Sequence, residues 1–120
     1  MLPTMLAPNG SMRNIIISEM GFTSHNKSIA TDELTQAAAI VYSYKLIANN
    51  PFIQGIVYHR QVDHASEIAG DGIAGGIRTE TGTKYANGVF ANMDKGNSSE
   101  YTDFALPIIG AASWAELGLD

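Results

Sequence analysis

Three isoleucines in succession, Ile15 to Ile17, make the first apolar run of the chain. β-Branched residues on both faces predict a strand over 14–18. Unbroken rather than alternating apolarity predicts a parallel strand covered on both sides. Gly21 permits a tight departure, and the polar stretch FTSHNKSIA reads as a loop. The rhythm then becomes helical. Thr31 is placed to cap a helix whose first turn holds Asp32 and Glu33, where negative charge suits the dipole. The helix runs through ELTQAAAIVYSYKLIA and stops at Asn49-Asn50-Pro51, because proline biases its predecessor away from helix. Between Ala37 and Ala48 only Ser43 and Lys45 interrupt the apolar and aromatic residues. A helix with so narrow a polar face is built to be packed closely by neighbours.

A second strand is expected within FIQGIVYHRQ, beginning near Phe52. Two strands separated by a full helix predict a parallel βαβ crossover of right-handed sense over residues 14–60. Residues 61–98 read as a glycine-rich loop with a short helix over 86–93, and GIRTETGTK suits a hairpin turning at Thr81-Gly82. Residues 99–120 suit a C-terminal helix interrupted or kinked near Pro107 and Gly110. Residues 1–13, with Pro3, Pro8 and the Asn9-Gly10 turn signal, form an irregular lead-in. The whole is one α/β domain, a size suited to the 120 residues of the chain.

Composition narrows the function classes. With 45% hydrophobic and 16% charged residues the chain is globular. A net charge of −5 and seven scattered basic residues argue against nucleic acid and against an anionic membrane surface, both of which need clustered cations. The absence of cysteine excludes disulfides and thiolate metal sites. MLPTMLAP lacks the basic and apolar regions of a signal peptide, and no stretch approaches a transmembrane span. The compartment stays open.

Glu19 is the first candidate for chemistry. It follows the isoleucine strand, sharing a side with Ile15 and Ile17 if alternation holds. A carboxylate at the C-terminal end of a parallel strand lies where α/β folds place their sites. Such an acid can serve as nucleophile, general base or metal ligand; a solvent-facing or arginine-paired strand end is the plainer reading. The second candidate is YHRQVDH, residues 58–64. Alternation carried beyond the strand would set His59, Gln61 and Asp63 on one side and Tyr58 and Arg60 on the other. With His64 these residues invite a metal, but their spacing is no recognised ligand pattern. A polar cluster that hydrogen-bonds a ligand fits better, with Arg60 pairing Glu19 or Asp63. Tyr58 and Tyr85 are placed to stack on a sugar ring, whereas Tyr42, Tyr44 and Trp114 suit packing. GDGIAGG matches a phosphate cradle only in glycine count; a flexible active-site loop is expected.

Taken together, these segments resemble a known group. IIISEMGF is similar to the seventh-strand motif of retaining (β/α)8-barrel glycosidases, in which Ser/Thr-Glu-aromatic-Gly delivers the nucleophile; here Met20 replaces the aromatic. RNIIISEMGFTS, QAAAIVYSYKLIANNPFIQGIVYHRQVDH, GGIRTETGTKYANGVFANMD and YTDFALPIIGAASWAEL together resemble the C-terminal part of a little-characterised bacterial barrel family grouped with glycosidases. The resemblance implies the last two βα units, strands seven and eight with closing helices, of a TIM-type (β/α)8 barrel. It implies Glu19 as nucleophile, Tyr58 and His59 as ring-contacting residues, a carbohydrate ligand and no cofactor, and it is compatible with export of the parent protein. The family's acid/base residue lies on strand four, and no matching Asn-Glu stands upstream of Ile15. A full barrel takes about 250 residues. The expectation is therefore a partial barrel, inactive alone or completed by self-association, with Glu67, Glu80 and Glu100 as acids outside any motif. The alternative is a non-catalytic α/β module binding carbohydrate or another partner.

Overall fold

The computed structural model describes residues 14–25, 31–70, 72–79, 81–95 and 99–119. The expected lead-in over 1–13 and Glu80 lie outside them. Strand β1 (Ile15–Met20) and strand β2 (Ile53–Tyr58) form a two-stranded parallel sheet, and helix α1 (Glu33–Ala48) connects them. Ile15 lies opposite Ile53, Ile16 opposite Gly55, Ile17 opposite Ile56 and Met20 opposite Tyr58, so the register slips twice. The second slip breaks the alternation expected to unite Ile17 and Glu19: Ser18 and Glu19 are both exposed.

The sheet is not covered on both sides among the described residues. Ile16 is 62% exposed and Val57 57%. Their side chains flank Gly55, above which nothing approaches within 4 Å, so the apolarity read as burial faces outward here. The helices pack mainly on one another instead.

The N-cap of helix α1 falls one residue later than expected. Asp32, not Thr31, is the N-cap: its Oδ1 accepts from Thr35 N–H at 2.7 Å. A carboxylate is the stronger acceptor for that orphan donor, and those hydrogen bonds lower the Asp32 pKa. Thr31 turns away and donates from Oγ1 to the Thr23 carbonyl. The buried stripe of α1, Ala37, Ala38, Ile40 and Val41, meets Ala86, Val89 and Met93 of α3 (Tyr85–Asn92) and its C-cap, with Ala105 on α5 (Ala105–Ile109). Alanine on the facing helices lets them approach closely, and close-packed apolar contact of this kind dominates stability.

Residues 61–98 hold more structure than a loop and one helix. Helix α2 (Ala65–Gly70) precedes the glycine-rich turn, and α3 starts one residue before its expected limit. The hairpin at Thr81-Gly82 is a tight turn, with Thr79 N–H donating to Gly82 O and a bridge joining Arg78 to Thr83. The expected C-terminal helix is divided into α4 (Ser99–Thr102), α5 and a 3-10 turn (Ala115–Leu117). Pro107 does not kink α5; it stands in the first turn, where a missing N–H leaves no intrahelical bond unmade. Gly110, at φ 86°, ends that helix in the left-handed region. Trp114 packs as expected, 5% exposed, with Nε1 donating to Asp103 Oδ1 and Lys45 Nζ 5.2 Å from the ring centre.

Candidate functional site

The C-terminal ends of the two parallel strands converge on a cleft of about 700 Å³, lined by Glu19, Phe22, Thr23, His59, Glu67 and Ile73 among others. Backbone geometry fixes this convergence. His59 N–H donates to Met20 O at 2.7 Å, extending the β ladder by one bond beyond β2. Gly21 then passes directly over His59, where a methyl group would overlap the His59 carbonyl. Only glycine permits that approach, and it leaves the side chains on either side of the crossing facing the cleft.

Glu19 and His59 meet there. His59 Nδ1 lies 3.9 Å from Glu19 Oε1, with the side chains 47% and 73% exposed. That distance exceeds a hydrogen bond, and the carboxylate remains open to a ligand. Arg60 pairs with neither Glu19 nor Asp63 as expected. Its guanidinium contacts Glu67 Oε1 at 3.1 Å on α2, because the chain turns at the end of β2 and swings Arg60 toward that helix. Arg60 Nε is buried without a partner among the described residues. Glu67, outside any motif, thus becomes the second carboxylate of the cleft.

The rest of YHRQVDH is dispersed, since the alternation proposed for it ends with β2 at Tyr58. Asp63 turns inward: Oδ1 accepts from Gly76 N–H at 2.8 Å and from Lys84 Nζ at 2.7 Å. His64 bonds Ser66 locally through Nδ1 at the start of α2. Gln61 borders a separate apolar hollow with Ile56, Val57, Tyr58, Ile77 and Phe90. Among the described residues no group of three or more His, Asp and Glu side chains could hold a metal ion.

Tyr58 is not available for stacking. Its hydroxyl lies 3.0 Å from both Phe22 O and Gly75 O and accepts from Phe22 N–H at 3.2 Å, while its ring tilts against Phe90. Burial raises its pKa, outweighing the opposing hydrogen bonds around it. Tyr85 packs edge-on against Phe104 and does not line the cleft.

Two polar residues that sequence reasoning did not single out hold the walls together. Gln36, 1% exposed on α1, donates from Nε2 to Phe22 O and Gly76 O, each at 2.9 Å. Lys84, its side chain 3% exposed, donates to Asp63, Ser24 Oγ and Ala74 O. With Tyr58 they join the segment after β1, residues 22–24, to the loop at 74–76. Thr23 adds a direct tie, its Oγ1 accepting from Ala74 N–H at 2.9 Å. Residues 74–76 of the glycine-rich loop are thus tied to the cleft wall. Only a polar residue interrupting the apolar face of α1 hinted at Gln36; nothing local marks Lys84, whose partner lies 21 positions away.

Comparison with curated proteins gave no match, and neither did comparison with solved structures. Residues 1–117 match the model of a family of unknown function, DUF5722, and the chain belongs to that family.

Proposed function

We propose that the cleft is a glycoside site in which Glu19 acts as the nucleophile of retaining hydrolysis. The observation that carries this reading is the placement of Glu19: a solvent-open carboxylate at the C-terminal end of a parallel strand, on the wall of a cleft of about 700 Å³. A cleft of that volume suits a small-molecule ligand. In the proposed step a carboxylate oxygen bonds the anomeric carbon as the glycosidic bond breaks, and a second carboxylic acid protonates the departing oxygen. The parallel βαβ arrangement suits the last two units of a (β/α)8 barrel. On that reading the family-type acid/base residue would come from outside the described elements. Self-association across Ile16 and Val57 would cover the open sheet face.

The alternative is a non-catalytic α/β module that binds carbohydrate or another partner, and its carbohydrate form relies on stacking by Tyr58 and Tyr85. Tyr58 is held within the protein by its hydroxyl and its ring contact, and the exposed Tyr85 lies edge-on to Phe104 outside the cleft. Neither ring is placed to stack on a ligand in the cleft, which favours the catalytic reading.

Activated 2-deoxy-2-fluoroglycosyl fluorides test the nucleophile without needing the acid. A Glu19 oxygen bonds C1 as C–F breaks, and fluoride leaves with the bonding pair unprotonated. The fluorine at C2 slows hydrolysis of the glycosyl ester, so one sugar residue accumulates on the protein. Peptide mapping should place it on Glu19, with none on Glu19→Gln. Absence of labelling by gluco-, galacto-, manno- and xylo-configured probes would refute the assignment.

A further inference from the structure

Among the described residues, the side chains lining the cleft include two carboxylates, Glu19 and Glu67, and no lysine or arginine. Arg60 does not line the cleft itself but holds Glu67 Oε1 at 3.1 Å. Both members of that pair are about one-third exposed, 32% for Arg60 and 34% for Glu67. Glu67 is therefore paired by Arg60 on one oxygen while its side chain still lines the cleft. An ionised carboxylate accepts hydrogen bonds only, so a carboxylate held this way suits donors such as hydroxyl groups. The same two negative charges oppose any ligand carrying a carboxylate, sulfate or phosphate.

We propose that Glu67, positioned by Arg60, is the hydroxyl-reading residue of the cleft and restricts its ligands to neutral polyhydroxylated sugars. The assignment rests on the glycoside reading of the cleft but is independent of Glu19 as a nucleophile. Glu67 accepts from ligand hydroxyls through its cleft-facing oxygen. Arg60 keeps the carboxylate in place, and Glu19 and Glu67 together turn away acidic sugars.

Equilibrium titration followed by amide NMR tests this on the whole chain. The probes are methyl glycosides of glucose, galactose, mannose and xylose, alongside those of glucuronic and galacturonic acid. At least one neutral glycoside should shift the amides of Glu67, His59 and Thr23 saturably, and the uronosides should not. Glu67→Gln should weaken that neutral ligand by at least about tenfold, the loss expected for a hydrogen bond to a charged group. Signals of the α1–α3 core should stay unchanged, separating this loss from misfolding. No shift with any neutral glycoside, equal affinity for uronosides, or full affinity in Glu67→Gln would each overturn the proposal. Neutral binding without fluoride labelling would instead remove the nucleophile and leave Glu67 standing. Labelling of Glu19 at equal rates in wild type and Glu67→Gln would do the reverse.

Discussion

Lys84 Nζ lies 2.7 Å from Asp63 Oδ1, and the two side chains are only 3% and 9% exposed. A pair so buried survives because every charge finds company. Asp63 also accepts from Gly76 N–H, and Lys84 also reaches Ser24 and Ala74. The pair joins the turn after β2 to the start of α3 and the loop at 74–76. Gly76 lacks a side chain because a methyl there would strike the backbone of Val62 and Asp63.

Breaking that pair from one side should cost more than removing it. Lys84→Met leaves a buried carboxylate without its counter-charge, and about 3–5 kcal/mol of stability should be lost. Lys84→Met combined with Asp63→Asn should recover a good part of this, since the asparagine carbonyl can still accept from Gly76. Urea unfolding of the two single variants and the double variant measures the difference; equal stability of Lys84→Met and wild type would contradict the burial.

Tyr58→Phe should destabilise by about 1–3 kcal/mol, because Phe22 N–H loses its acceptor in a part-buried setting. The same hydroxyl shapes the alkaline limb. Burial raises the Tyr58 pKa above its ordinary 10.0, so above pH 10 the unfolded state loses the phenolic proton first. The stabilisation is complete below that value and declines as pH rises through the folded pKa. Denaturation midpoints between pH 8 and 11 should therefore fall more steeply in wild type than in Tyr58→Phe.

Asp32 acts at the acid end. Its pKa is lowered by hydrogen bonds from Thr35, so its contribution is present above 3.8 and fades as pH falls through the lower folded value. Asp32→Ala should lower the midpoint at neutral pH, with the gap to wild type narrowing below pH 4. Asp32→Asn should retain most of the cap.

Gly21→Ala should separate the strand ends. The added methyl meets the His59 carbonyl, and relieving that overlap moves Met20 and His59 apart; overpacking of this sort costs about 1–3 kcal/mol. Amide exchange at His59, whose N–H bonds Met20, should accelerate by more than that of the α1–α3 core.

The regular elements were legible in the sequence wherever local chemistry decides them. The isoleucine run marked β1, the alanine-rich stretch marked α1, and Pro51 marked where that helix yields to β2. Glu19 and His59 were legible as well, because both stand at strand ends. Long-range pairing was not. Arg60 had Glu19 and Asp63 as plausible partners in the sequence, and only the turn after Tyr58 brings it to Glu67 instead. Tyr58 looks in sequence like a free aromatic, yet its hydroxyl is aimed at Phe22 and Gly75 from 36 and 17 positions away. Ile16 and Val57 misled for another reason: continuous apolarity reports what a strand is able to bury, and nothing among the described residues covers that face.

The braces formed by Gln36, Tyr58 and Lys84 grip mostly backbone oxygens, those of Phe22, Ala74, Gly75 and Gly76. Main-chain atoms are the same whatever residue bears them. The shape of the cleft wall is therefore insured separately from its chemistry, and a side chain such as Ile73, outside the core cluster, can be exchanged to suit a different ligand without loosening the frame that carries it.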